Sequence, residues 1–227
     1  MKLSIIIPVF NEEETILQVL NKIEKVKLNN IEKEIIIIDD FSTDGTREIL
    51  QNIKKYKIIY HEKNLGKGAA IKTGLKNISG DIILIQDADL EYDPKEYNKL
   101  LEPILTNQTK VVYGSRMLGE HKDMYSLHFF GNKFLTLATN IIYQCKITDM
   151  ETGYKVFKNE VIEGLNLKAR RFDFEPEITA KILKRGYKIK EVPIDFINPR
   201  SFHQGKKITW KDGIKHFLYL LKYKFLN

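Results

Sequence analysis

The sequence predicts an α/β domain built on a mostly parallel sheet flanked by helices. Two observations carry this expectation. Short runs rich in β-branched residues alternate, along the first half, with segments whose apolar residues recur at helical spacing, the pattern of repeated βαβ units. The strand segments are also apolar without interruption, as in Ile5-Ile-Ile and Ile35-Ile-Ile-Ile, which suits burial on both faces of a parallel sheet.

In order along the chain, strands are expected at 3–8, 34–39, 57–60, 81–86 and 110–113, and helices near 12–27, 44–55, 67–78 and 94–105. Polar residues collect where strands end: Asn11 and Glu12, then Asp39 and Asp40, then Asn64 to Gly68, then Asp87 to Asp89. Ligands of open α/β sheets bind outside the carboxyl ends of the strands, so the four tips should line one crevice of a nucleotide-binding layer. The second half changes character, with a helix at 131–143, a strand at 154–158, a helix at 175–185, a strand at 187–196 and a basic tail. No linker, repeat or low-complexity segment divides the chain. Residues 1–227 are therefore expected to form one domain, with a first half at 1–115, a second at 116–208 and a basic amphipathic helix at 209–227.

With 43% hydrophobic and 30% charged residues, the composition is that of a globular protein and excludes a disordered chain. Cys145 is the only cysteine, which excludes an intrachain disulfide framework and a Cys-rich zinc site and favours a reducing compartment, the cytosol. The net charge of +7 would first suggest nucleic acid. Its distribution argues otherwise, because residues 198–227 hold seven cations against Asp212, a net +6, and leave the body nearly neutral. Interleaved with Trp210, Phe217, Tyr219, Tyr223 and Phe225, this charge suits an anionic membrane surface. The apolar run at 3–10 is broken by Pro8 and followed by three glutamates, so it does not read as a signal peptide. No stretch reaches the roughly 18 to 20 apolar residues of a spanning helix, and membrane contact is expected to be peripheral. Trp210, Ile214, Phe217, Leu218, Leu221 and Phe225 recur at helical spacing, with Lys211, Lys215 and Lys222 on a neighbouring face. Two readings stand: a helix docked on the core, or an interfacial anchor. The same two attend Phe134, Leu137, Ala138, Ile141 and Ile142.

The densest chemistry is Asp87-Ala-Asp, with Glu91 two residues on. Alternating carboxylates at a strand tip suit a hard cation such as Mg²⁺, which takes one or two carboxylates and completes its shell with phosphate oxygens. The other reading is that they cap the next helix. Asp39-Asp40 could accept hydrogen bonds from a base or ribose, or serve the turn chemistry of Phe41-Ser-Thr-Asp-Gly, and both can hold. Asn64-Leu-Gly-Lys-Gly-Ala-Ala lacks the spacing of a P-loop, and Ile71 stands where the last glycine of a dinucleotide fingerprint belongs. It reads as a tight packing turn with Lys67 within reach of a donor.

Four motifs occur in order: Ser4-Ile-Ile-Ile-Pro-Val-Phe-Asn-Glu-Glu, Ile38-Asp-Asp-Phe-Ser-Thr-Asp-Gly-Thr, Asn64-Leu-Gly-Lys-Gly and Asp87-Ala-Asp. Together they resemble the family 2 glycosyltransferases with the GT-A fold, a Rossmann-like nucleotide-binding sheet. Gly114-Ser-Arg, Thr148-Asp-Met-Glu-Thr-Gly-Tyr-Lys-Val-Phe, Phe174-Glu-Pro-Glu, Glu191-Val-Pro-Ile and Gly205-Lys-Lys-Ile extend the resemblance to the polyprenyl-phosphate sugar synthases, including dolichyl-phosphate mannose and glucose synthases. The resemblance implies a nucleotide-sugar half at 1–115 and an acceptor half at 116–208. It implies that Pro8, Phe10, Glu12 and Asp39 line the nucleoside pocket. Asp87, Ala88 and Asp89 would meet the donor diphosphate through Mg²⁺ or Mn²⁺, with Glu91 completing the metal shell, although some relatives carry an amide there. Arg116, Arg200 and Lys206 would face the donor and acceptor phosphates, since a planar guanidinium fork suits phosphate oxygens.

The implied reaction transfers a hexose from a GDP- or UDP-sugar to a polyprenyl or dolichyl phosphate at the cytoplasmic membrane face. Such an acceptor is already ionised at neutral pH and needs no general base, which accords with five scattered histidines, none beside Asp87 or Asp89. Catalysis would then rest on Asp89, Arg116, Arg200 and the cation, and in-line displacement would give a β-linked product from an α-linked donor. Asp149 is the rival base, or else orients a loop or contacts the sugar, and Glu175 and Glu177 are further sugar-contact candidates. Transfer to a saccharide hydroxyl, or a non-catalytic nucleotide-sugar-binding membrane module, are the alternatives.

Overall fold

The computed structural model describes residues 1–119, 126–196 and 210–225, and of 126–128 and 210–212 the backbone alone. Strand β1 (Lys2–Val9) leads through α1 (Ile16–Lys25) to β2 (Glu32–Asp39), α2 (Thr46–Gln51), β3 (Lys57–Tyr60), α3 (Lys67–Leu75) and β4 (Ile82–Ile85). A 3-10 turn at Pro94–Glu96 runs into α4 (Tyr97–Leu105), followed by β5 (Val111–Ser115), α5 (Ser126–Tyr143), β6 (Lys155–Lys158), α6 (Asn159–Ile162), α7 (Phe174–Lys184), β7 (Ile189–Pro193) and α8 (Trp210–Phe225). Helix α1 starts later than its apolar spacing suggested, because Glu12 to Thr15 form a turn in which the Thr15 hydroxyl donates to Glu12 Oε2 at 2.8 Å. The short α6 was not anticipated.

The seven strands form one sheet in the order β3-β2-β1-β4-β6-β5-β7. All pairings are parallel except the two made by β6, which runs against β4 and β5. The carboxyl ends of six strands therefore share one edge. Because β6 is reversed, its amino end reaches that edge too, and the loop at 148–154 arrives beside the tip of β4.

Side chains alternate across the sheet, so β1 sends Leu3, Ile5 and Ile7 into a core under α1 and α4, while Ile6 joins Ile36 and Ile38 in a second core with residues of α3 and α7. A third cluster joins Leu135, Ile147, Met150 and Leu220. Helix α8 is thus docked: His216, Leu220 and Tyr223 are buried, Phe217 meets Phe134 at 5.7 Å between ring centroids, and Tyr143 donates to the Leu220 carbonyl at 2.8 Å. Its outward face keeps Ile214, Leu218 and Phe225 exposed, alongside Phe130, Phe134, Leu137 and Ile141 of α5. The docked reading of the tail therefore holds for one face of α8, while the other keeps apolar side chains exposed. Among the described residues no helix is long and apolar enough to cross a membrane.

At the opposite edge, Glu34 stitches three segments together. It accepts from Ser4 Oγ at 2.5 Å, from Ser79 N at 2.9 Å and from Ser79 Oγ at 2.7 Å, with Lys2 Nζ 3.3 Å away. Burial works against its charge, but these donors win and hold its carboxyl down at about 2. A depressed acid stabilises the fold above its unfolded pKa and loses that contribution as pH falls toward the folded value. Glu34→Gln is expected to cost roughly 2 kcal/mol at neutral pH in urea unfolding, with the gap to wild type closing between about pH 4.5 and 2. A gap that is constant with pH would contradict this assignment.

Candidate active site

Three non-glycine residues just beyond the carboxyl ends of β1, β2 and β4 adopt left-handed backbone: Asn11 (φ 55°), Phe41 (φ 67°) and Leu90 (φ 64°). Such conformations persist where surrounding contacts over-determine them, and they gather at ligand sites. The first two tips are knitted together, Asn11 N donating to Ser42 Oγ at 3.0 Å and Thr43 N to Asn11 Oδ1 at 2.8 Å. Half-buried Pro8 pairs with Ile38 across the adjoining strands, and the buried Glu12 donates its backbone N–H to Thr46 Oγ1 at 2.7 Å.

Asp39 and Asp40 do different work. Asp39, fully buried, accepts from Arg47 Nε at 2.9 Å and from Ser42 N at 3.2 Å. Arg47 also donates to the His61 carbonyl at 2.7 Å and lies 5.4 Å from the Phe41 ring centroid and 5.3 Å from that of Tyr60. Sequence reasoning gave Asp39 to a nucleoside and missed Arg47, whose only signal was its place after the turn. Asp40 faces the other way. It pairs with His61 Nδ1 at 2.7 Å and accepts from Leu65 N at 2.9 Å and Gly66 N at 2.7 Å.

That clamp settles the glycine-rich turn. Gly66 has φ 94°, and a Cβ there would stand 2.4 Å from the Arg170 carbonyl oxygen. Gly68 N and Ala69 N donate to the carbonyls of Arg171 and Arg170 at 3.2 and 3.0 Å, so the start of α3 spends these amides on a neighbouring chain segment and does not offer them to phosphate. Packing explains the glycines. Lys67 does something else: its Nζ lies 2.7 Å from Asp87 Oδ1 and 3.3 Å from Glu175 Oε1. Burial disfavours the ammonium, but Asp87 and Glu175 outweigh it and hold it well above the usual lysine range.

Asp87 is fixed from below. Gln86 accepts from Tyr97 and Tyr154 hydroxyls at 2.8 and 2.7 Å and donates to the Asp87 carbonyl at 2.9 Å. Gly153, delivered by the loop before β6, approaches so closely that a Cβ would sit 2.3 Å from Asp87 Oδ2. Asp89 accepts from Glu91 N at 3.2 Å across the left-handed Leu90. Ala88 turns into the main core cluster, so its side chain does not face a donor. Among the described residues no three His, Cys, Asp or Glu side chains converge as a ready-made metal cluster. The expected three-carboxylate shell of Asp87, Asp89 and Glu91 is therefore not preformed; Glu91 instead lies in the field of Arg116. One or two hard carboxylates at a strand tip still fit a cation that fills its shell with diphosphate oxygens.

Arg116, at the end of β5, makes a two-pronged pair with Asp149: Nε to Oδ2 at 2.7 Å and Nη2 to Oδ1 at 2.8 Å, with its backbone N–H adding a contact to Oδ2 at 3.1 Å. It lies 5.3 Å from the Phe196 ring centroid. Asp149 N and Thr148 N in turn donate to Glu191 at 2.9 and 2.7 Å. With both oxygens engaged by a buried guanidinium, Asp149 orients Arg116, and the rival base role does not suit it. Glu177 differs from its expected sugar contact: it accepts from Lys168 N at 2.8 Å and Ala169 N at 2.6 Å and pairs with Lys181 at 2.6 Å, which makes it a loop clamp. Lys155, missed from sequence, is buried beneath the loop at 148–154 and donates to the Met150 carbonyl at 3.1 Å and to the Thr152 carbonyl. Burial pushes it down to about 8. His61 and His216 are buried beside Asp40 and Glu151, so both are structural. Arg200 and Lys206 lie outside the described residues.

Removing one partner of a buried bidentate pair leaves the other charge stranded. Asp149→Asn keeps the shape and removes the charge, so it is expected to destabilise by about 3 kcal/mol in urea unfolding. A loss below about 0.5 kcal/mol, the scale of ordinary surface substitutions, would show that Arg116 does not depend on it.

Residues 4–165 match the family described as Glycosyl transferase family 2. The chain is 31% identical over 244 residues to the UDP-N-acetylglucosamine–dolichyl-phosphate N-acetylglucosaminyltransferase of Methanococcus voltae, covering 97% of this chain and 95% of that one. It is 32% identical over 235 residues to the dolichol-phosphate mannosyltransferase of Pyrococcus furiosus, covering 99% of this chain and 65% of that enzyme's length. The solved structure of glucosyl-3-phosphoglycerate synthase from Mycobacterium tuberculosis with Mn²⁺, UDP and phosphoglyceric acid is similar with a TM-score of 0.74 at 20% identity, over 100% of this chain and 79% of that one. That likeness shows the GT-A fold. With the motifs, the sheet and the relatives in agreement, the chain belongs to glycosyl transferase family 2 and is a glycosyltransferase.

Proposed function

We propose that this glycosyltransferase moves a hexose from a nucleotide diphosphate sugar to a polyprenyl or dolichyl phosphate at an anionic membrane surface, with inversion. The observation that carries the reading is the Arg116–Asp149 pair: Asp149, the acid offered for a base role by the sequence, is committed to holding a guanidinium at the sheet edge. An ionised phosphate acceptor needs no base, whereas a saccharide hydroxyl would. The names of the two dolichyl-phosphate relatives support the same acceptor class.

Asp87 and Asp89 would hold a Mg²⁺ or Mn²⁺, the ions present with UDP in the structural neighbours. Bound there, such an ion supplies charge neutralisation for the departing nucleoside diphosphate. Arg116 and Lys67 place further positive charge along the same edge, and Arg200 and Lys206 are proposed to join them. Their work is to hold two mutually repelling phosphates at reacting distance. Pro8, Phe10, Glu12 and Asp39 with its partner Arg47 are proposed to border the nucleoside.

The outward apolar rows of α5 and α8 are proposed to rest on the bilayer. Phe130, Phe134, Leu137 and Ile141 follow one face of α5, and Ile214 and Leu218 continue it on α8, with Lys133, Lys215, Lys222 and Lys224 exposed nearby. Apolar insertion and cationic attraction to anionic lipid would act together.

With labelled nucleotide sugars, transfer to a short-chain polyprenyl phosphate is expected and transfer to oligosaccharides is not; the reverse outcome would sink the acceptor assignment. Asp89→Asn should lower turnover by about 100-fold while the protein stays folded by circular dichroism, on the scale of losing one electrostatic contact to the transition state. In vesicle sedimentation, Phe134→Asp with Leu218→Asp should abolish binding to phosphatidylglycerol vesicles, and high salt should weaken wild-type binding. Unchanged sedimentation of the double variant would remove this face from the account.

A further inference from the structure

Lys67 occupies an unusual position for a residue at a cation-binding tip. Its ammonium bridges two carboxylates from distant parts of the chain, 2.7 Å from Asp87 Oδ1 and 3.3 Å from Glu175 Oε1. The bridge is not a surface accident. Lys67 opens α3, whose start is pinned by Asp40 and by the carbonyls of Arg170 and Arg171, and Glu175 lies in the buried first turn of α7. The other oxygen of Asp87 faces Gly153, where there is no room for a side chain. The second oxygen of Glu175 is buried and has no hydrogen-bond partner.

We propose that Lys67 is a resident counter-cation that holds Asp87 in the unliganded protein and makes divalent-cation binding there conditional on a nucleoside diphosphate. The inference rests on the cation–diphosphate reading above. A divalent ion arriving alone must compete with an ammonium already on Oδ1 and then bear its repulsion at a few ångströms, in a partly buried site where screening is weak. A diphosphate arriving with the ion reverses the balance, because its negative charge faces both cations. Lys67 then leaves Asp87 without losing an anionic partner, since Glu175 keeps it and has an unused oxygen to offer. One lysine thus links two binding events thermodynamically, and the coupling must be reciprocal.

The test is Mn²⁺ binding to the full chain, followed by the electron paramagnetic resonance signal of free Mn²⁺, with and without UDP or GDP. Wild type is expected to bind Mn²⁺ weakly alone and at least tenfold more tightly with the diphosphate. Lys67→Met should bind Mn²⁺ alone roughly tenfold more tightly than wild type, the scale of one nearby charge, and lose most of the enhancement by diphosphate. Lys67→Arg keeps the charge and should behave like wild type, which separates electrostatics from damage to the fold. In Lys67→Met with Asp87→Asn, the gain for Mn²⁺ alone should vanish. The proposal is overturned if Lys67→Met binds Mn²⁺ alone no more tightly than wild type, if no protein binds Mn²⁺, or if Lys67→Arg matches Lys67→Met. If wild type binds neither diphosphate, the donor reading fails on its own, while the comparison of Mn²⁺ alone still decides the role of Lys67.

Discussion

Charge buried at the carboxyl edge of the sheet has to be paired, and that requirement fixes the loops there. Arg47 is held by Asp39 across one turn, while Arg116 with Asp149 and Lys67 with Asp87 and Glu175 join separate stretches of sequence. Taking such groups out of water costs several kcal/mol apiece unless their partners are well placed. The pairs therefore contribute little net stability, and their larger effect is to select one arrangement of the loops. A surface with mobile charges would have to order them each time a phosphate arrived; here that ordering is built into the fold.

The reversal of β6 is what allows the pairing. In a wholly parallel sheet the segment at 148–154 would enter its strand from the far edge, and neither Asp149 nor Gly153 could reach the tips of β5 and β4. Running β6 against its neighbours carries Asp149 to Arg116 and lets the Gly153 backbone lie against Asp87. Lys155 then ties the loop down by its own carbonyls, a buried amine spent on geometry.

The layout of the fold was legible because its strongest signals are local. Uninterrupted isoleucine runs and helical apolar spacing each depend on residues close in sequence, and the elements from β1 to β5 follow them. The direction of β6 was not legible, since Tyr154-Lys-Val-Phe reads the same whichever way the strand runs. The acidic tip at Asp87 and Asp89 and the guanidinium at Arg116 could be picked out as motifs, while the division of labour between Asp39 and Asp40 could not. Adjacent carboxylates look alike in sequence, and only the folded backbone shows that one reaches Arg47 and the other reaches Leu65 and Gly66. Lys155 was missed because its hydrogen-bond partners are backbone carbonyls, and Glu177 was misjudged because the amides of Lys168 and Ala169 that it holds are likewise backbone groups, which carry no sequence signature.

The buried contact between His216 and Glu151, 2.9 Å long, joins the last helix to the loop that also carries Asp149. Helix α8 is therefore a strut within the frame of the site and not an appendage that could be trimmed without consequence. A shift of α8 by one residue along its axis, about 1.5 Å, would pull the imidazole out of register with its carboxylate.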